Sequence, residues 1–163
     1  MEIFLTLLIL CTLMFLICYV GTGGEKNIKS LSSYPDEVIE IIKSRPEYKD
    51  KIKKPSGEAA GFMMNILIYS VILFIFGLPV KTSHFLANFI RLSILGQGVN
   101  LFDLLVIDLI WWTHTKRVRF KGTENDDKLY KNPKKHIISF LKGIALFIIV
   151  AVVDGFLLTL IGA

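Results

Sequence analysis

Signatures of catalysis are missing from this sequence. The glycine-rich run Gly21-Thr22-Gly23-Gly24-Glu25-Lys26 lacks P-loop spacing and follows no strand-like stretch. His84, His114 and His136 are scattered, with no second ligand at the short spacings that metal sites use. Ser70, Ser93 and Ser139 stand in no nucleophile-elbow context. No catalytic residue, metal or cofactor is therefore expected, and no reaction is assigned. Cysteine is scarce too. Cys11 and Cys18 lie seven residues apart on one helix face, too far for a disulfide, so they are read as packing residues.

Basic residues are lacking ahead of the first apolar run, where Glu2 is the one charged residue that precedes it. In Phe15-Leu16-Ile17-Cys18, Ile17 stands where a lipoprotein cleavage box needs a small residue. The run reads as a retained transmembrane helix and not as a signal peptide. The loops also lack the interleaving of basic and aromatic residues that marks nucleic-acid binding, so no nucleic acid is expected as a partner.

Apolar sequence is abundant. Hydrophobic residues make up 53% of the 163, and the mean hydropathy is +0.56. That is too apolar for an ordinary soluble domain. About 20 mostly apolar residues carry a helix across a ~30 Å hydrocarbon core. The stretches 3–20, 59–78, 85–113 and 137–161 qualify, the third being longer and more polar. The expected fold is all-α, an integral-membrane four-helix bundle, with 1–163 forming one polytopic membrane domain.

The distribution of Lys and Arg sets the orientation. The Gly21–Gly57 loop holds eight: Lys26, Lys29, Lys43, Arg45, Lys49, Lys51, Lys53 and Lys54. The His114–His136 loop holds eight more: Lys116, Arg117, Arg119, Lys121, Lys128, Lys131, Lys134 and Lys135. The short loop after the second span has only Lys81. The positive-inside rule then puts the two long loops in the cytoplasm of a cell-membrane protein and both termini outside. The net charge of +5 concentrates at the inner face, where anionic lipid is the expected partner.

The loops carry local signals. Pro35-Asp36-Glu37 reads as a helix start, and Val38, Ile39, Ile41 and Ile42 give an apolar face up to Ser44. That short helix either lies on the membrane or packs against the other long loop. Pro55-Ser56-Gly57 reads as a hinge into the second span. Alternation over Arg117–Lys121 and a turn at Gly122–Asp127 allow a small hairpin. Asn132-Pro133 reads as the start of the last helix. Trp111-Trp112-Thr113-His114 belongs with an interfacial aromatic belt.

Three carboxylates, Asp103, Asp108 and Asp154, lie inside the apolar stretches. A charge at bilayer depth costs ~3 kcal/mol or more, so such residues face protein or water. Gly96-Gln97-Gly98 divides the third stretch. At 100° per residue, Asp103, Asn100, Gln97 and Asp108 share a polar arc, but the same wheel puts Asn88 and Arg91 on the apolar side. A kink or break near Gly96–Gly98 removes that conflict. The alternative is that the glycines only permit close helix packing.

Depth along the helices suggests the pairs Asp108–Lys142 and Asp154–Arg91. It leaves Asp103 near the midplane without a base, in an internal polar cavity shared with Asn100 and Gln97. The candidate substrate or ion pathway is therefore Asp103, Asn100, Gln97, Asp108, Asp154 and Arg91. These residues point first to a small membrane protein of transport or channel type, built as a homo-oligomer because four helices enclose little volume. The alternative is a structural or accessory subunit that docks a cytoplasmic or membrane partner through the basic loops, which make up over a third of the chain. A membrane enzyme using Asp103 and Asp108 comes third, because i, i+5 on an α-helix sets them about 140° apart.

Overall fold

The computed structural model describes residues 2–52 and 57–162. Lys53, Lys54 and the Pro55-Ser56 part of the expected hinge lie outside the described residues. The chain is all-α, 83% helical, and no strand occurs among the described residues. The helices are α1 (Glu2–Gly21), α2 (Asp36–Ser44), α3 (Glu58–Gly77), α4 (Phe85–Phe102) and α5 (Lys134–Gly162). A ten-residue π-helix, Asp103–Trp112, follows α4 in the chain.

Four segments are long and apolar enough to cross a membrane: Glu2–Gly21, Glu58–Val80, Phe85–Trp112 and Asp127–Gly162. They suit a multi-pass membrane protein. In α1 and α3 only two residues each are buried, and large apolar side chains such as Phe4, Leu8, Met63 and Leu67 are exposed. A helix that is apolar all round and stays uncovered by protein fits a lipid environment better than water.

The long-range contacts divide the chain into two compact units. The first comprises 1–12, 56–102 and 140–163. Its core is built from one stripe of α4, formed by Asn88, Leu92, Leu95, Gly96, Val99 and Asn100, and from buried residues of α5, among them Leu146, Phe147, Val150, Ala151 and Leu158. The α4 positions recur every three to four residues, so a single helix face carries both the apolar and the amide groups. The α-helix continues through Gly96–Gly98 and is not unwound there. The departure from α geometry comes later, at Asp103. The glycines serve close packing. A Cβ on Gly96 would meet Phe147 at 2.7 Å, and one on Gly98 would meet Leu7 at 2.8 Å. The absent Cβ atoms leave room for the Phe147 and Leu7 side chains to seat against the α4 backbone.

The polarity of the helix wheel does not require a break, for two reasons. In a membrane the inward face is selected by packing, so polar and apolar residues share it. The 100° step also does not apply beyond Phe102, where i→i+5 bonding takes more residues per turn.

The second unit comprises 13–55 and 103–139. Here the two long loops build a common aromatic core. Leu31, Tyr34, Val38, Ile42, Trp112, Val118, Phe120 and Tyr130 form one buried cluster. The Tyr34 ring lies 5.0 Å from both Trp112 and Phe120, and 6.1 Å from Tyr130. Its hydroxyl donates to the Val118 carbonyl at 2.6 Å. Burial pushes that hydroxyl well above the ordinary tyrosine range.

Pro35 precedes α2, whose first turn carries Asp36 and Glu37, and α2 buries Val38 and Ile42 in this cluster. Of the two expected placements for this helix, the structure therefore has it packed on the other loop. The expected hairpin gives way to a 3-10 turn at Lys116–Val118. The turn signal is realised at Gly122, whose φ of 80° favours glycine. Asn132 Oδ1 accepts the Lys134 N–H at 3.1 Å where α5 begins.

Several buried polar groups in this unit are satisfied from within it, while Trp112 Nε1 is buried with no hydrogen-bond partner among the described residues. Asn27 is fully buried, takes the Gly23 N–H at 2.8 Å and donates to the Arg117 carbonyl at 3.1 Å. The Tyr130 hydroxyl accepts the Phe120 N–H at 3.1 Å and meets Thr123 Oγ1 at 2.6 Å. At the periphery, Lys135 lies 2.7 Å from Asp36, and its hydrogen bond and charge hold that carboxyl below the usual range.

Candidate functional site

In the first unit, four of the six candidate pathway residues are engaged in helix-to-helix or helix-to-loop bonds. Gln97 Nε2 donates to the Ile144 carbonyl at 3.0 Å, and Asn100 Nδ2 donates to the Phe140 carbonyl at 3.1 Å. Both bonds tie α4 to α5. Asn100 also packs on Gly143, where any side chain would collide with its amide. Asn88, on the same stripe, bridges Thr82 and Thr159. In a bilayer such amide bonds hold helices together, because no water competes for them.

Asp154 and Arg91 do not pair. Asp154 is fully buried on α5 and accepts the Ser70 hydroxyl of α3 at 2.5 Å through Oδ1. Its Oδ2 is buried with no hydrogen-bond partner among the described residues. Arg91 instead donates to the Val80 carbonyl of the short loop. A backbone oxygen near the end of the neighbouring segment was closer than the carboxylate. A shared half of the bilayer does not fix which helix faces meet.

The second unit holds the other two candidates. Asp108 Oδ2 meets His136 Nδ1 at 2.9 Å, and both side chains are largely buried. The expected partner, Lys142, reaches Glu58 at 3.4 Å, an exposed pair of little energetic weight. His136 is one residue before the expected membrane boundary at Ile137, and its ring meets the Trp112 ring edge-on, with centroids 6.0 Å apart. The depth argument considered only Lys and Arg as bases and so missed it.

Asp103 opens the π-helix. It is half-buried and makes no hydrogen bond or ion pair among the described residues, while lying within electrostatic reach of Asp108 and His136. Asn100 and Gln97, its expected companions, give their amide hydrogens to α5 carbonyls. With i→i+5 bonding, residues five apart come round toward one face, so Asp103 and Asp108 are closer in angle than an α-helical wheel allows. The arrangement sets one carboxylate on the same π-helix as a carboxylate–imidazole pair. Among the described residues no group of His, Cys, Asp and Glu is placed to hold a metal ion.

Sequence reasoning missed Ser70 and His136 as partners, together with the aromatic core of the loops. Comparison with known protein families, curated proteins and solved structures returns no match.

Proposed function

We propose that this chain is an accessory-type membrane protein whose two long loops form a folded basic module that faces the cytoplasm and docks a partner subunit there. The observation that carries this reading is the common core of the two long loops, centred on Tyr34. Loops that only connect spans need no core, and ordering them costs about 1–2 kcal/mol per residue in backbone entropy. The module's surface outside the cleft between 22–26 and 116–124 carries exposed lysines, among them Lys43, Lys49 and Lys128, which favour an acidic partner surface. The engagement of Gln97, Asn100 and Asp154 in bonds between helices further supports a scaffolding role for the spans.

A second reading, a transport- or channel-type protein, has one observation in its favour. Asp103 lies in a membrane-span segment without a hydrogen-bond partner, beside Asp108–His136 and on a π-helix, a geometry that recurs at functional sites.

Two measurements separate them. The accessory reading expects gentle purification from native membranes to yield a stoichiometric complex with one defined membrane or cytoplasmic protein, lost when exposed module lysines are changed to glutamate. It also expects the purified chain in liposomes to pass no proton or cation current above protein-free vesicles. A current abolished by Asp103→Asn, in a variant that still folds, would overturn it in favour of transport.

A further inference from the structure

A cleft of about 610 Å³ opens in the second unit between 22–26 and 116–124. Five cationic residues line it: Lys26, Lys116, Arg117, Arg119 and Lys121. Glu124 is the one carboxylate among its lining residues. Arg119 is already committed. Its side chain is buried, pairs with Asp127 at 2.6 Å and donates to the Thr113 carbonyl at 3.1 Å. Glu124 is turned to the Gly122 N–H at 2.6 Å.

Arg117 is held but not neutralised. Its guanidinium lies 4.1 Å over the Tyr19 ring, and its Nε donates to the Tyr19 carbonyl at 3.1 Å. No carboxylate pairs with it among the described residues, and its terminal N–H groups are left for a ligand. Gly23, at φ 107°, lets the backbone lie against this arginine, since a Cβ there would come within 3.2 Å of the guanidinium carbon. Lys26 donates to the Val20 carbonyl at 3.0 Å and keeps further N–H donors. The exposed Lys116 and Lys121 have no ion-pair partner among the described residues.

A stacked arginine fixed at its Nε and flanked by three lysine ammonium groups, two of them without an ion-pair partner among the described residues, is suited to a multiply charged oxyanion. The location in the chain narrows the ligand. Thr22 directly follows the Glu2–Gly21 span, and Lys116 comes four residues after the Phe85–Trp112 span. Tyr19 and Trp111, 6.4 Å apart, are aromatics of the kind that mark the lipid headgroup level.

We propose that this cleft binds a phosphate-bearing anion, and that the headgroup of an anionic phospholipid is its ligand. The site is independent of the docking role above, because it needs no protein partner. Arg117 supplies paired N–H donors to phosphate oxygens, while Lys26, Lys116 and Lys121 supply charge around it.

The test uses the purified full-length chain in a non-ionic detergent, titrated with phosphatidylglycerol, phosphatidylcholine or inorganic phosphate and read by native mass spectrometry. Phosphatidylglycerol should bind at one saturable site, well ahead of phosphatidylcholine. The double variant K116Q/K121Q, whose altered side chains are exposed and unpaired, should weaken it on the order of tenfold. The control K43Q/K128Q changes the net charge equally outside the cleft and should leave binding nearly unchanged. Equal losses in the two double variants would mean diffuse attraction and would overturn the site. Cleft-dependent binding of inorganic phosphate without lipid binding would overturn the headgroup assignment and make the ligand a soluble phosphate.

Discussion

The Asp108–His136 pair, at 2.9 Å, makes a prediction that discriminates between residues. A double-mutant cycle of Asp108→Ala and His136→Ala should show coupling of about 1–3 kcal/mol in unfolding from detergent. The equivalent cycle of Asp108 with Lys142 should show none, since Lys142 contacts Glu58. Asp154 behaves similarly: Ser70→Ala strands a fully buried carboxyl and should cost about 1–3 kcal/mol. Gly143→Ala should also destabilise the protein, because the new methyl meets the Asn100 amide, and Asn100→Ala should recover part of that loss. The identity of the buried polar residues was readable in the sequence, because Asp, Asn and Gln in an apolar run stand out. Their partners were not. Asp154 bonds to Ser70 and Arg91 to a backbone carbonyl, and neither hydroxyls nor carbonyls announce themselves at a given depth.

Elements were legible where a local rule sets them. Pro35 with Asp36 and Glu37 marks the start of α2, and Asn132-Pro133 marks the start of α5. The π-helix over Asp103–Trp112 has no such signal, and the glycines at 96 and 98 lie within the α-helix that precedes it. The aromatic core was also invisible, since Tyr34, Trp112, Phe120 and Tyr130 come from separate loops with no shared period. Tyr34 tests that core. Tyr34→Phe leaves the Val118 carbonyl unpaired and should cost about 1–3 kcal/mol, while Tyr34→Ala empties the cluster and should cost about 3–5 kcal/mol. Burial raises the Tyr34 hydroxyl above its ordinary value of 10.0, so above that pH the unfolded chain releases a proton the folded module keeps. The stability of the loop unit should therefore fall as pH rises past about 10. Tyr34→Phe should flatten that alkaline slope, read by near-ultraviolet circular dichroism.

For the whole molecule, composition and helix length alone lead to an all-α chain with four segments able to cross a membrane. Function is less legible, because no short motif carries it and the chemistry rests on groups brought together by folding. The central proposal is that both long loops, folded into one basic module, face the inner side of the membrane. Single-cysteine accessibility in whole cells tests it most directly, in a background with Cys11 and Cys18 replaced. A membrane-impermeant thiol reagent added outside should label cysteines placed in Val80–Ser83 and at the C-terminus. Cysteines at Lys49 and Asn125 should react only after the membrane is opened. Labelling of Lys49 or Asn125 from outside, or of one loop but not the other, would contradict the account.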